Sequence, residues 1–308
     1  MTDAEYGVVV RHVTRQFGPV QALRGLDLTV PYGQVTALVG PNGAGKTTLL
    51  LILATLLRPD FGEVRVAGLD PVRDPSGVRS RMGWMPDMFG VYDQLTVREY
   101  LRFFAEAYRL DRGTTAQRIS DALARTHLGE YADRPVHVLS RGQKQRLALG
   151  RALLHEPRVL LLDEPASGLD PRSRVELRDL LRALAGHGVA ILVSSHILSE
   201  LEEMADRVVF VTEGRTVDER DVRDLGSTQA TGWRIRALDP EALAAALAAR
   251  EVVAGGTSGA GAELPPMTEE AAATLLAGLV ADGVRVVSFA PVGSQLETAY
   301  LAMTQERR

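Results

Sequence analysis

The chain has 308 residues, 45% of them apolar and 24% charged, with a formal net charge of −4 and no cysteine. That leaves room for a substantial core in one large or two moderate domains, excludes disulfides and thiolate metal sites, and suits a reducing cytoplasm. No Lys/Arg-dominated face marks a nucleic-acid footprint, the acidic start Met1-Thr2-Asp3-Ala4-Glu5 lacks the apolar core of a secretory signal, and no uncharged run nears the roughly 18–20 residues of a bilayer span.

Val8-Val9-Val10, Ala22 to Val30 and Gln34 to Val39 read as short strands cut by Gly and Pro. The third enters Gly40-Pro41-Asn42-Gly43-Ala44-Gly45-Lys46-Thr47-Thr48, and an apolar helix from Leu49 to Leu57 leaves it. Gly, any four residues, Gly, Lys and Ser/Thr between a buried strand and a helix form the phosphate-loop pattern. Gly43 and Gly45 let the backbone curl until successive N–H groups point at phosphate oxygens, at the positive end of the helix. Lys46 reaches the β- and γ-phosphates, and the Thr47 hydroxyl is placed to ligate Mg²⁺. Only Lys46 and Lys144 among the 35 cations are lysines. A chain that otherwise writes arginine keeps a compact ammonium where a planar fork does not fit.

Strand-type runs continue at Glu63 to Val66 and Arg81 to Met85. From Leu95 to about Leu128 the period turns helical, with Val97, Tyr100, Leu101, Phe104 and Tyr108 three or four residues apart. Val159 to Leu162 and Ala190 to Val193 are continuous apolar runs, each after a helix, as buried parallel strands require. The first ends in Asp163-Glu164-Pro165. A buried strand of this kind opens on a ligand crevice, which suits Asp163 to hold Mg²⁺ and Glu164 to take a proton from the attacking water. Before it, Ser140 and Gly142 begin a helix and offer a second anion site. Val208 to Val211 and Arg215 to Val217, joined by Glu213-Gly214, read as a hairpin.

Beyond Leu225 the texture changes, with Gly226 to Gln229 linker-like. A strand at Trp233 to Leu238, a helix at Pro240 to Arg250 and a strand at Glu251 to Ala254 follow. After a flexible Gly255 to Gly261 come a weak strand around Ala262 to Leu264, a helix at Thr268 to Ala281, a strand at Val284 to Phe289 and a last helix from Ser294. That β-α-β-β-α-β order reads as a small α+β, ferredoxin-like domain. The expected division is a nucleotide-binding domain at 1–226, with a helical subdomain at about 88–155, and an accessory domain at 227–308.

With a phosphate loop upstream and the Asp-Glu strand downstream, Leu139-Ser140-Arg141-Gly142-Gln143-Lys144-Gln145 makes the chain resemble the ATP-binding cassette (ABC) family over roughly Val8 to Asp218. The resemblance implies an α/β fold with a mixed-sheet core, an antiparallel β subdomain and a helical subdomain. It implies an ATPase using ATP and Mg²⁺, with the nucleotide cradled from Gly40 to Thr48, Phe17 stacked on adenine, and Lys46, Glu164 and His196 in catalysis. Thr47 and Asp163 would ligate the metal. Ser140, Gly142 and Gln143 would serve ATP held by a second copy, and Ser167-Gly168-Leu169-Asp170 matches the loop that signals between subunits, so a homodimer forms on ATP. Two positions depart from the family: Asp87 stands where Gln is usual, still able to meet a water or Mg²⁺, and Arg141 replaces a Gly, a change expected to be mild.

The Ser195 to Leu201 run, the Phe89 to Tyr100 stretch and the C-terminal Gln295 to Leu301 resemble daunorubicin-resistance-type drug and antibiotic exporter ATPases. That branch implies a separately encoded membrane permease and a cytoplasmic place on the inner face of the membrane; Phe89, Tyr92 and Leu95, large apolar residues after Asp87 in a Gly- and Asp-broken loop, are the expected groove for a permease helix. A soluble, non-transport ABC ATPase of the translation or DNA-repair type is the alternative. It fits less well, since the chain has one phosphate loop and no heptad insertion.

Overall fold

The computed structural model describes residues 3–88, 90, 92, 94–195, 197–222, 231–258, 261–292 and 296. Phe89, His196, the Gly226 to Gln229 linker and nearly all of the helix expected from Ser294 lie outside them. The chain divides into two compact units, Met1–Glu219 and Arg220–Arg308.

In the first unit, β1 (Tyr6–Phe17) pairs antiparallel with β2 (Val20–Pro31) and with β4 (Phe61–Val66) in a three-stranded sheet. The second sheet takes β3 (Val35–Val39), β5 (Met82–Met85), β6 (Val159–Asp163), β7 (Ala190–Ser194), β8 (Arg207–Thr212) and β9 (Arg215–Asp221), in the order β5-β6-β7-β3-β8-β9. Its first four pairings are parallel, and every residue of β3, β6 and β7 is buried. Burial on both faces explains why these strands are near-continuous apolar runs rather than alternating. Side chains of the two sheets, among them Val8, Leu26, Leu28, Leu38, Leu161 and Leu192, share one core with α1 (Lys46–Leu53). A short α2 (Pro75–Arg79) precedes β5.

The helical layer has its own core. In α3 (Val97–Ala107) a Thr96–Glu99 capping box sets the start, and Val97, Tyr100, Leu101 and Ala105 form the buried stripe. They meet Ile119, Ala122 and Leu123 of α4 (Arg112–Arg125) and Leu147 of α5 (Arg141–Leu153). Two further helices, α6 (Pro171–Gly186) and α7 (Leu198–Met204), complete the unit.

The second unit runs β10 (Thr231–Ala237), α8 (Pro240–Ala248), β11 (Gly255–Ser258), β12 (Gly261–Met267), α9 (Glu269–Ala281) and β13 (Val286–Pro291). Its sheet order is β11-β12-β10-β13 with antiparallel pairs throughout, the neighbours of a split-βαβ, ferredoxin-like sheet. The strand expected at Glu251 to Ala254 is misplaced. Val252 instead packs on the core cluster, and the ladder begins at Gly255, inside the run read as flexible. A tight hairpin onto β12, with Ser258 opposite Gly261 at φ 114°, decides pairing here over local β-propensity. Helix α1 also starts three residues before the apolar run, at the loop lysine itself.

Candidate active site

The phosphate loop joins the end of β3 to α1 against β2. Gly45 has φ 101°, and a Cβ there would sit 2.7 Å from both the Ala22 carbonyl oxygen and Leu23 Cδ2, so only glycine closes this turn. No side chain caps α1, which leaves its first N–H groups for whatever enters the loop. Lys46 Nζ donates to the carbonyls of Gly40 at 2.6 Å and Pro41 at 3.1 Å, curled back over the loop. Burial pulls its ammonium below its ordinary pKa, while the charges of Glu164 and Asp163 pull the other way. A partly desolvated cation beside open helix N–H groups fits a phosphate chain.

Asp163 ends β6 opposite Ser194 of β7. The Ser194 hydroxyl, fully buried, donates to Asp163 Oδ1 at 2.5 Å. Burial pushes the Asp163 carboxyl above its ordinary value, opposed by the Ser194 bond and reinforced by the charge of Asp87, with Lys46 and a Thr47 hydrogen bond also holding it down. Glu164 then turns left-handed at φ 52°. Its N–H donates to the Ser194 carbonyl at 3.1 Å, and Gln145 Nε2 donates to its carbonyl at 3.0 Å. A non-glycine residue in that conformation costs about 1–2 kcal/mol, so the clamp from both neighbours is what keeps it there. Loop residues Asn42 to Thr48, Asp87, Asp163, Glu164 and Arg141 all line one cavity of about 640 Å³.

Ser140, Gly142, Gln143 and Asp170 do not line that cavity. They surround another of about 490 Å³, with Arg146 and Ser173. Ser140 caps α5 in a closed box: its Oγ accepts from Gln143 N–H at 3.2 Å, and Gln143 Oε1 accepts from Ser140 N–H at 2.9 Å. Asp170 caps α6 through Ser173, whose two bonds hold its carboxyl below the usual range. Phe17 sits in neither cavity. It ends β1 opposite Val20, a wall residue of the first cavity, with the Arg15 guanidinium 4.7 Å above its ring. The bonds that Gln145 and Ser194 make to the Asp163-Glu164 pair carry no sequence signal, for they reach the end of β6 from a helix and from another strand; Arg141 showed only as an odd residue in a pattern.

Strand, phosphate loop, helix and a carboxylate pair on the neighbouring parallel strand define a nucleotide-hydrolysing P-loop protein. The ABC transporter family profile matches residues 23–167. Daunorubicin resistance ATP-binding protein DrrA3 of Streptomyces coeruleorubidus is 35% identical over 96% of this chain and 86% of its own length. The structure of an ATP binding subunit of an ABC transporter aligns at TM-score 0.66 and 28% identity, covering 71% of this chain and 91% of that one. A bacterial ABC transporter cassette solved as a dimer aligns at TM-score 0.63 and 26% identity, covering 70% and 99%. The chain belongs to the ABC transporter family of ATP-binding subunits and is an ATPase.

Proposed function

We propose that this ATPase powers export of a drug, antibiotic or lipid-like compound through a separately encoded permease, working as a homodimer that closes on ATP. The relationship to a daunorubicin resistance ATP-binding protein along 96% of the chain supports the exporter branch. The observation that carries the dimer is the split of the site: Lys46, Asp163 and Glu164 line one cavity, and Ser140, Gly142, Gln143 and Asp170 another. A second copy facing the first brings each set to the other's nucleotide. Among the described residues no helix is long and apolar enough to cross a membrane. Attachment to the inner membrane face, from the cytoplasm, then falls to the permease.

In this reading the loop from Gly40 to Thr48 binds the phosphates, Lys46 holds their charge and Phe17 flanks the base. Glu164, held rigid by Ser194 and Gln145, takes the proton of the attacking water. His196 is the further γ-phosphate contact that the family resemblance assigns. Thr47 and Asp163, with Asp87 near, supply the hydroxyl and carboxylate that Mg²⁺ takes when substrate oxygens complete its shell, and the metal would neutralise developing phosphate charge.

Glu164→Gln is expected to keep ATP binding and lower turnover by about 10²–10⁴-fold, because only the proton acceptor is lost. Near-normal hydrolysis by that variant removes Glu164 from the role. The dimer is tested by mixing Lys46→Ala with Ser140→Ala chains. Both lesions then fall in one composite site and the other stays whole, so activity should return; no recovery at any mixing ratio counts against paired sites.

A further inference from the structure

The first turn of α5 points two ways. Ser140, Gly142 and Gln143 line the second cavity, whereas Arg141, between them, lines the phosphate-loop cavity of its own chain. Its guanidinium donates from Nη2 to Ser167 Oγ at 3.0 Å. Its stem lies across Gly168, where φ is 75° and an added Cβ would come within 2.8 Å of Arg141 Cδ and Nε. The glycine thus leaves a groove that the arginine stem fills, and the fork is held at the cavity wall.

Charge gives that placement a purpose. The cavity gathers three carboxylates, Asp87, Asp163 and Glu164, against one lysine. A nucleoside triphosphate entering it adds further negative charge, most of it on the terminal phosphoryl group. We propose that Arg141 is a second cationic anchor for the terminal phosphate of the nucleotide bound in its own chain's phosphate loop, and so sets the preference for triphosphate over diphosphate. A planar fork fixed at one edge by Ser167 still offers donors for paired bonds to phosphoryl oxygens. The inference rests on the phosphate-loop reading. It assigns Arg141 to its own chain's nucleotide, while Ser140 and Gly142 on either side serve the partner's.

The test measures equilibrium affinities for ATP and ADP with Mg²⁺ in a Glu164→Gln background, where hydrolysis does not blur the ratio. Arg141→Ala should weaken ATP about tenfold and ADP less than twofold, with Arg141→Lys between, since one charge-assisted interaction is lost on the terminal group alone. Equal weakening of both nucleotides, or of neither, overturns the proposal. Mixing Arg141→Ala chains with Lys46→Ala chains then separates own-chain from partner-chain action. No mixed site has both cations from one chain, so the ATP preference should stay low; its return would show Arg141 acting on the partner's nucleotide and overturn the assignment. Lys46→Ala alone should lose both nucleotides. If it binds them normally, the phosphate-loop reading itself falls and takes the proposal with it.

Discussion

At the residue scale, Asp163 is a group the fold stabilises poorly in its ionised form. It is 6% exposed, and its pKa is raised by burial first, with the charge of Asp87 adding to the effect. A carboxyl raised in the folded state favours folding when protonated; that contribution is complete below the ordinary value of 3.8 and is lost as pH climbs through the raised one. At neutral pH, without nucleotide, the charge is therefore a burden. Asp163→Asn keeps an acceptor for Ser194 and removes the charge, so the melting temperature should rise about 2–4 °C at pH 7. Near pH 4 the gain should vanish. Calorimetry at the two pH values checks this, and an equal gain at both, or a loss at pH 7, contradicts the assigned cause. Given the Mg²⁺-holding role proposed for Asp163, the same variant should bind Mg²⁺–nucleotide poorly, because the proposed ligand and the unfavourable buried charge are one group.

At the element scale, two contacts carry predictions. The first is the seam between the sheets: a Cβ on Gly7 of β1 would lie 2.2 Å from Ala190 Cβ at the start of β7 and 3.2 Å from Val159 Cγ2. Gly7→Ala should thus destabilise by about 1–3 kcal/mol through overpacking. Adding Ala190→Gly should return most of it, and a double variant no better than the single one would put the strain elsewhere. The second is the aromatic patch that Tyr92 makes with Phe103 of α3. Tyr92 and Phe103 are 53% and 45% exposed, with rings edge to face at 5.2 Å, and Met88 beside the cavity loop is 88% exposed. Tyr92 also approaches the buried Tyr100 ring at 6.4 Å, so the patch rests on the helical core. An apolar surface rooted this way suits a short permease helix. Tyr92→Ser with Phe103→Ser should spare the ATPase of the isolated subunit and abolish membrane recruitment. Co-purification of the doubly substituted chain with the proposed permease would place the contact elsewhere.

At the scale of the whole molecule, the two units keep separate cores, one around Trp233, Ile235, Leu243, Leu264 and Leu279 and the others in residues 8–211. Two calorimetric transitions are expected, and a chain ending after residue 222 should retain nucleotide binding together with one of them; loss of both on truncation would show a single cooperative fold. The parallel sheet, the loop and the carboxylate pair were legible in sequence because each is written in consecutive residues: an apolar run that ends at Asp163, glycines at fixed offsets before Lys46. What joins distant segments was not. The Ser194 bond to Asp163, the Gln145 bond to Glu164 and the Arg141 seat on Gly168 depend on register between strands and on where a helix lands. The strand at Gly255–Ser258 was missed for the same reason, since its partner and not its composition makes it a strand.

The left-handed turn at Glu164 bears on how this sequence would drift. Its backbone favours Gly, Asn or Asp, the residues that tolerate φ near 52°. The proton-accepting role proposed for Glu164 gives a reason for a long carboxylate there. In a randomised library selected for protease resistance alone, position 164 should move to glycine and asparagine ahead of alanine and glutamine, and the survivors should be more stable than the parent and, given the role proposed for Glu164, slow to turn over ATP. Retired copies of such a gene would therefore lose function early at a residue whose replacement the fold welcomes.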